Sequence, residues 1–319
     1  MRSEFISAGF HENRVLKALY SYADEDGDVK VMVGTHVDDI IWACKPEAES
    51  MIAEIINKFQ CGDPEIGNFR YCGKEVAQDD DFNITITCKD TTLKMEPIRI
   101  SGIRKHHQEL NDQEKTQMKS IAGSLSWIAR NCRPDIAYGV SKVQSAAACG
   151  YVKDIKMANK LVKYAVSTAE RGITFKSGIL DWNNLVQVIV SDASHANEEQ
   201  VGTTPSGKVK TEPHRSQGGK LILLADPSIV DGDECKFHLI SHSSTLIKRV
   251  CRATVQAEAY QLQYSNEEGD RIRAAIAGMR GQLDSRNWEA TAAASMQQIW
   301  FTDCKSVHDA LVNLSLIHI

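Results

Sequence analysis

Residues 185–194, LVQVIVSDAS, set an apolar, β-branched run against a terminal aspartate, as a buried strand does where it reaches a polar edge. Two similar runs follow, GGKLILLAD at 218–226 and KFHLISHSS at 236–244, and the polar insertions between them predict a β-meander. Gly218-Gly219 lacks the Lys and Ser of a phosphate-binding loop and reads as a turn before the second strand. Residues 251–281 form one long Ala-rich helical pattern. QQIWFTD at 297–303 reads as another buried strand, and CKSVHDALVNL at 304–314 as a closing helix. Three strands, a helix, a strand and a helix describe a mixed α/β layer. The Gly, Asp and Asn residues clustered between 177 and 184 mark its start.

Upstream, residues 112–147 and 154–170 are rich in Ala, Lys, Gln and Leu and predict helices, the first broken by Arg133-Pro134-Asp135. Short alternating runs between 62 and 100 predict a small antiparallel set. Residues 46–59, PEAESMIAEIINKF, place Pro46 in an opening turn, with Met51, Ile52, Ile55, Ile56 and Phe59 at helical spacing. Residues 29–44, VKVMVGTHVDDIIWAC, predict a hairpin with acids at its tip.

The chain has 319 residues, 42% of them hydrophobic and 25% charged, which excludes a fibrous or broadly disordered protein and suggests two or three domains. No apolar stretch reaches the roughly 20 residues of a membrane helix, and MRSEFISAGF lacks a signal-peptide core, so neither membrane nor secretion is expected. Nine dispersed cysteines without a CxxC pair read as reduced thiols of the cytoplasm or nucleus. The net charge of −5 conceals a contrast: residues 1–95 carry −8, 96–171 carry +6 and 172–319 carry −3. In the basic part, Lys153, Lys156, Lys160 and Lys163 fit either a solvated helix face or a phosphate-tracking surface.

Two constellations carry chemistry. Asp192 and Asp303 each end a buried strand, and Glu258 sits in an apolar helix; three such acids from separate elements can converge into a two-metal clamp for attack of water on a phosphodiester. A structural role for each acid fits the spacing equally well. Asp38 and Asp39, adjacent at a hairpin tip, suit Mg²⁺ bound with a nucleotide, or an ordinary solvated turn. His106 with His107, and His238 with His242, lack a third ligand at fixed spacing, and Ser124 and Ser126 lack a base.

Taken together these stretches resemble the copia-type LTR retrotransposon Pol polyprotein, from the end of its reverse transcriptase into its ribonuclease H. SIAGSLSWIARNCRPDIAYGVSKVQS at 120–145 is similar to that family's Gly-Ser-Leu, Arg-Pro-Asp-Ile and Tyr-Ala-Val stretch. GTHVDDIIWAC resembles its Tyr-Val-Asp-Asp motif, and YCGKEV its Leu-Gly-Ile-Glu segment. VSDASHAN, RATVQAEAYQL and FTDCKSVHDAL resemble the segments bearing its nuclease acids. The resemblance implies an α/β (α+β) chain with a partial palm at 1–100, a helical thumb or connection at 101–180 and a C-terminally truncated ribonuclease H-like domain at 181–319. It further implies an unpaired edge and exposed apolar surface on the hairpin at 29–44, since the palm's earlier strands precede that stretch. It implies that Asp192, Glu258, Asp303, Asp38 and Asp39 are catalytic and bind Mg²⁺, or Mn²⁺. The partners implied are an RNA–DNA hybrid or primer-template and the rest of the polyprotein.

Several positions depart from the pattern. His36 replaces the family's Tyr, and Cys304 replaces the Asn after the third acid. The first palm aspartate belongs before residue 1 and the last nuclease acid beyond residue 319, so polymerisation by these residues alone is not expected. MRSEF and LSLIHI match nothing in the family and are set aside from the fold as joining scars. Hybrid cleavage, binding of duplex nucleic acid without cutting, and an inert remnant are the three readings that remain.

Overall fold

The computed structural model describes residues 1–59, 61–100, 102–147, 150–203 and 209–317. It is a mixed α/β fold built on three four-stranded sheets.

The first sheet follows helix α1 (Arg2–Ser7). It is an antiparallel meander of β1 (His11–Glu12), β2 (Leu19–Ala23), β3 (Val29–His36) and β4 (Asp39–Cys44), in chain order. β3 therefore has neighbours on both sides, because β2 supplies a partner that the sequence reading overlooked; of the two hairpin strands it is β4 that lies at a sheet edge among the described residues, as the two-residue β1 does on the far side. The apolar surface expected on the hairpin is largely covered. Ile40 and Trp42 rest on the core, and Val37 at the tip is the large apolar side chain that stays exposed. α2 (Glu49–Asn57) follows a turn of 3-10 helix at Pro46–Ala48 and buries Ile52 and Ile55.

MRSEF, set aside as a scar, belongs to this core. Phe5 is fully buried, stacks on Tyr20 at 4.9 Å between ring centroids and meets Phe10 edge-on at 5.4 Å. Stacked and edge-on aromatic pairs of this kind add to the gain from burying each ring. LSLIHI continues helical backbone as far as Ile317; its last two residues lie outside the described ones.

The second sheet joins distant segments: β5 (Asn68–Tyr71), β6 (Lys74–Gln78) and β7 (Ile84–Thr87) are completed by β8 (Ile173–Phe175). Between β7 and β8 lie α3 (Lys89–Leu93), α4 (Asp112–Asn131), α5 (Ala137–Ala146) and α6 (Val152–Ser167). Asn111 caps α4 through a reciprocal box with Glu114. Met118, Leu125, Ile128, Val143, Ile155 and Val162 form the buried interior, joined by Cys88, Met95 and Ile98 from the preceding segment.

Pro134 breaks the helical run as expected, and the residues beside it make a clasp. Arg133, 2% exposed, makes a two-pronged pair with Asp135 at 2.9 and 2.8 Å. It also donates to the Thr168 carbonyl and hydroxyl at 3.0 and 2.8 Å, and so ties the end of α4 to the end of α6. Tyr164 covers the guanidinium and donates to Asp135.

The third sheet has the order β11-β10-β9-β12. Antiparallel β9 (Val186–Thr203), β10 (Val209–Ala225) and β11 (Phe237–Leu246) form the meander, and β12 (Gln297–Phe301) lies parallel beside β9. α7 (Thr254–Met279) packs across the sheet, with α8 (Trp288–Ser295) against it and α9 (Lys305–Ile317) after β12. Gly218 and Gly219 lie inside β10, opposite Ala193 and Asp192, and form no turn. The reason is steric: a Cβ on Gly218 would fall within the Gln261 side chain of α7. On the helix itself, a Cβ on Gly269 would sit 2.6 Å from Ile189 Cδ1. No helix among the described residues is long and apolar enough to cross a membrane.

Removing the Arg133 side chain takes the donor from the Thr168 carbonyl and leaves Asp135 with Tyr164 in place of its two-pronged partner, so Arg133→Ala is expected to cost about 3 kcal/mol of unfolding free energy. Arg133→Lys is expected to recover less than half of this, because an ammonium lacks the planar fork. Urea unfolding of the three proteins measures both values, and an unchanged midpoint in Arg133→Ala would remove the clasp from the stability account.

Candidate functional site

Strand register brings the first two acids together. Val190 on β9 pairs with Phe301 on parallel β12, and Asp192 and Asp303 each stand two residues beyond that pair, so they leave adjacent strands on the same side. Glu258 comes from the first turns of α7, which crosses the same sheet. Each of the three offers a carboxylate oxygen, and these oxygens lie within 4.8 Å of one another. Among the described residues they form the one group of three metal-ligating side chains.

The group has a buried floor and an open mouth. Asp192 and Asp303 are exposed, whereas Glu258 is 4% exposed. Its Oε2 is shielded from solvent and has no hydrogen-bond partner. Burial pushes the Glu258 carboxyl up to about 7, with the Ala193 backbone N–H pulling the other way and repulsion from Asp192 and Asp303 adding to the rise. Three hard oxygen donors at this spacing, one of them an orphaned buried carboxylate, are what a divalent cation with oxygen preference requires. The residues therefore fit such an ion.

Asp38 and Asp39 are placed differently. Asp38 lies in the two-residue turn after Val37, whose φ is +56°, and Asp39 opens β4 opposite His36. Both are exposed, and no third metal-ligating side chain among the described residues closes on them. Asp39 does act on its surroundings: burial, then Cys72, then the Asp39 charge push the Tyr71 phenol up to about 12.

The histidines are engaged elsewhere. His242 donates its ring N–H to the Ala129 carbonyl at 2.6 Å, His238 lies against Phe175, and His106 is 2.9 Å from the Lys156 ammonium. Lys153, Lys156, Lys160 and Lys163 form one exposed face of α6, and none is in an ion pair among the described residues. Cys304, beside Asp303, directs its backbone N–H to Thr302 Oγ1.

Two groups near the sheet escaped the sequence reading. Lys220 and Ser241 both bond Glu268, fixing α7 to β10 and β11. Gln217 donates to Ser141 and Ser244 at 3.2 and 2.8 Å, linking α5 to the same strands. A polar residue inside a strand pattern was the sole signal for either.

No family model matches the sequence. The chain is similar to a transposon protein. That relative is "Putative transposon Ty5-1 protein YCL074W" of Saccharomyces cerevisiae (strain ATCC 204508 / S288c), 23% identical over 232 residues that cover 68% of this chain and 69% of that protein.

The Glu258 carboxyl ionises near 4.5 in the unfolded chain and near 7 in the fold. Below 4.5 it is neutral in both states; as pH rises through 7 the unfolded chain loses its proton first, so in chelator stability declines across that window. Glu258→Gln is expected to abolish this decline and to melt higher than the parent at pH 8. Thermal unfolding at pH 4.5, 6, 7 and 8 reads it, and a parallel decline in both proteins would place the cause elsewhere.

Proposed function

We propose that this chain is part of a copia-type retrotransposon Pol polyprotein, and that residues 181–319 form a ribonuclease H-like domain acting on the RNA strand of RNA–DNA hybrids. The observation that carries the reading is the convergence of Asp192, Glu258 and Asp303 from strand, helix and strand on one partly open site. The sheet order, with three antiparallel strands and a fourth parallel to the first, supports it, as does the similarity to a transposon protein. Residues 1–100 are read as palm and 101–180 as thumb or connection, with Asp38 and Asp39 as the polymerase pair.

In this reading Asp192, Glu258 and Asp303 are ligands for Mg²⁺ or Mn²⁺. Bound there, a divalent cation would supply Lewis-acid stabilisation of the phosphodiester's growing negative charge and a more acidic water. The exposed Asp192 and Asp303 face the side from which a strand approaches. Glu258, held under them by α7, keeps its proton in part of the population at neutral pH, and a bound cation would favour its ionised form. The reaction breaks one P–O bond and forms another with water, leaving the released oxygen protonated.

A second reading, binding of duplex nucleic acid without cutting, is favoured by the lysine face of α6. Four exposed ammonium groups at positions i, i+3, i+7 and i+10, none in an ion pair among the described residues, run along one side of the helix, as contacts to a phosphate backbone would use.

Incubation of the full chain with an end-labelled RNA–DNA hybrid and Mg²⁺ is expected to yield shortened RNA. Asp192→Asn should lower that rate at least about 100-fold. Cleavage that survives this change would remove the nuclease assignment. Replacing Lys153, Lys156, Lys160 and Lys163 by Gln should reduce the slope of log affinity against log salt by about 3 to 4, and an unchanged slope would clear α6 of any phosphate contact.

A further inference from the structure

Two cysteines from different elements meet inside the middle part of the molecule. Cys88 stands between β7 and α3 and Cys132 directly after α4, and each is 1% exposed in the core that α4, α5 and α6 share. Both thiols are free. The Cys132 thiol donates to the Cys88 sulfur, so the two sulfur atoms are neighbours although more than forty residues separate them along the chain. Cys132 Sγ also lies 3.7 Å from the Ile128 carbonyl oxygen.

The surrounding bonds hold this meeting in place. From β6, Lys74 reaches Asn131 at 3.4 Å, one residue before Cys132, and Glu75 accepts from the Thr87 hydroxyl at 3.2 Å, one residue before Cys88. Thr92 donates its N–H and its hydroxyl to the Cys88 carbonyl at 2.9 and 2.7 Å. One residue after Cys132, Arg133 fixes the end of α4 to α6. The backbone around both sulfurs is thus anchored.

Two sulfurs are too few ligands for zinc, and no third metal-ligating side chain among the described residues closes on them. Their proton affinities differ in the sense that thiol oxidation uses. The bond received from Cys132 draws the Cys88 thiol below its ordinary value, with burial and the Glu75 charge opposing and the Lys74 ammonium assisting. The same bond, and burial after it, push Cys132 upward. A thiol that ionises readily beside one that retains its proton makes an attacking and a resolving sulfur.

We propose that Cys88 and Cys132 form a reversible redox pair, closed to a disulfide by hydrogen peroxide and reopened by a dithiol. The Cys88 sulfur attacks one peroxide oxygen and the O–O bond breaks; hydroxide leaves, takes up the proton that Cys88 released, and Cys88 becomes a sulfenic acid. The Cys132 sulfur then attacks the Cys88 sulfur. An S–S bond replaces the S–O bond, and the second oxygen departs as water with the Cys132 proton. Two thiols and one peroxide become one disulfide and two waters, the sulfurs giving up two electrons. Return to the thiols by exchange with a dithiol needs this buried segment to open locally, so the bond persists once made. While it lasts it closes a long loop of the unfolded chain and ties the β5–β8 sheet to the end of α4, which stabilises the helical core.

The full chain, treated with about 1 mM hydrogen peroxide in EDTA and then capped with N-ethylmaleimide, is digested with trypsin without reductant and weighed by mass spectrometry. Residues 75–89 and 131–142 are released as peptides with one cysteine each, since trypsin does not cut between Arg133 and Pro134. The two are expected joined, as the major disulfide of the digest, and separate again after dithiothreitol in urea. A chain oxidised in 8 M urea should give at least about fivefold less of this pair. Oxidation of the folded protein should raise its melting midpoint by about 3–6 °C, and Cys132→Ala or Cys88→Ala should remove that rise. In Cys132→Ala the sulfenic acid, left without its resolving thiol, should be captured by dimedone at Cys88. Absence of the joined peptides from the parent, an equal yield from the unfolded chain, or an unchanged midpoint after oxidation would each overturn the proposal, and these three measurements need no variant to fold.

Discussion

The closeness of α7 to its sheet governs the third part of the molecule. A helix seated on strands normally stands off by the length of the side chains between them, about 10 Å from axis to sheet. Here positions 218 and 269 carry no side chain, and Gln261 and Ile189 occupy the volume that a Cβ at each would need. Glu258 is carried under the surface by that approach and meets Asp192 and Asp303 there. The Lys220–Glu268–Ser241 group then holds the helix against β10 and β11 from the same side. A burial that would be unfavourable for a lone carboxylate is thus a consequence of backbone packing, and the packing energy of a 26-residue helix sustains it.

Much of this was readable in the residues. The runs ending in Asp192 and Asp303 have the length and β-branching of buried strands, and the long Ala-rich pattern between them is long enough to cross a sheet, so the layer and its three acids follow from composition at each segment. What could not be read was register. Two strand ends become neighbours only because Val190 faces Phe301, and nothing local to either strand specifies that pairing. For the same reason the glycines of β10 looked like a turn: the role of Gly218 is defined by Gln261, on a helix more than forty residues away. β2 and α1 escaped because their apolar content is aromatic and scattered, and periodicity needs longer runs to show.

The stretch around Arg133-Pro134-Asp135, the strongest motif in the sequence, does mechanical work. Its arginine is buried, bonded through all three guanidinium nitrogens and directed at the end of α6. Pro134 makes the corner and Asp135 neutralises the charge that the corner traps. A strong motif of this kind marks a demanding piece of architecture, which is a different signal from that of the trio, whose residues are weak as motifs and informative only in space. Asp38 and Asp39 fall between the two cases: the hairpin tip has the predicted form, yet the acids there face solvent.

The provenance of β8 bears on how the chain acquires its shape. The strand at Ile173–Phe175 closes a sheet whose other members end at Thr87, so more than eighty residues, all the helices α3 to α6 among them, intervene before the last edge is capped. On a ribosome the first three strands emerge early and must wait. The helices, built from neighbours in the chain, can condense first and deliver the final strand to its place. Synthesis order and assembly order therefore part company in the middle of this protein, and the interval between them is the period when β7 offers its edge to other chains.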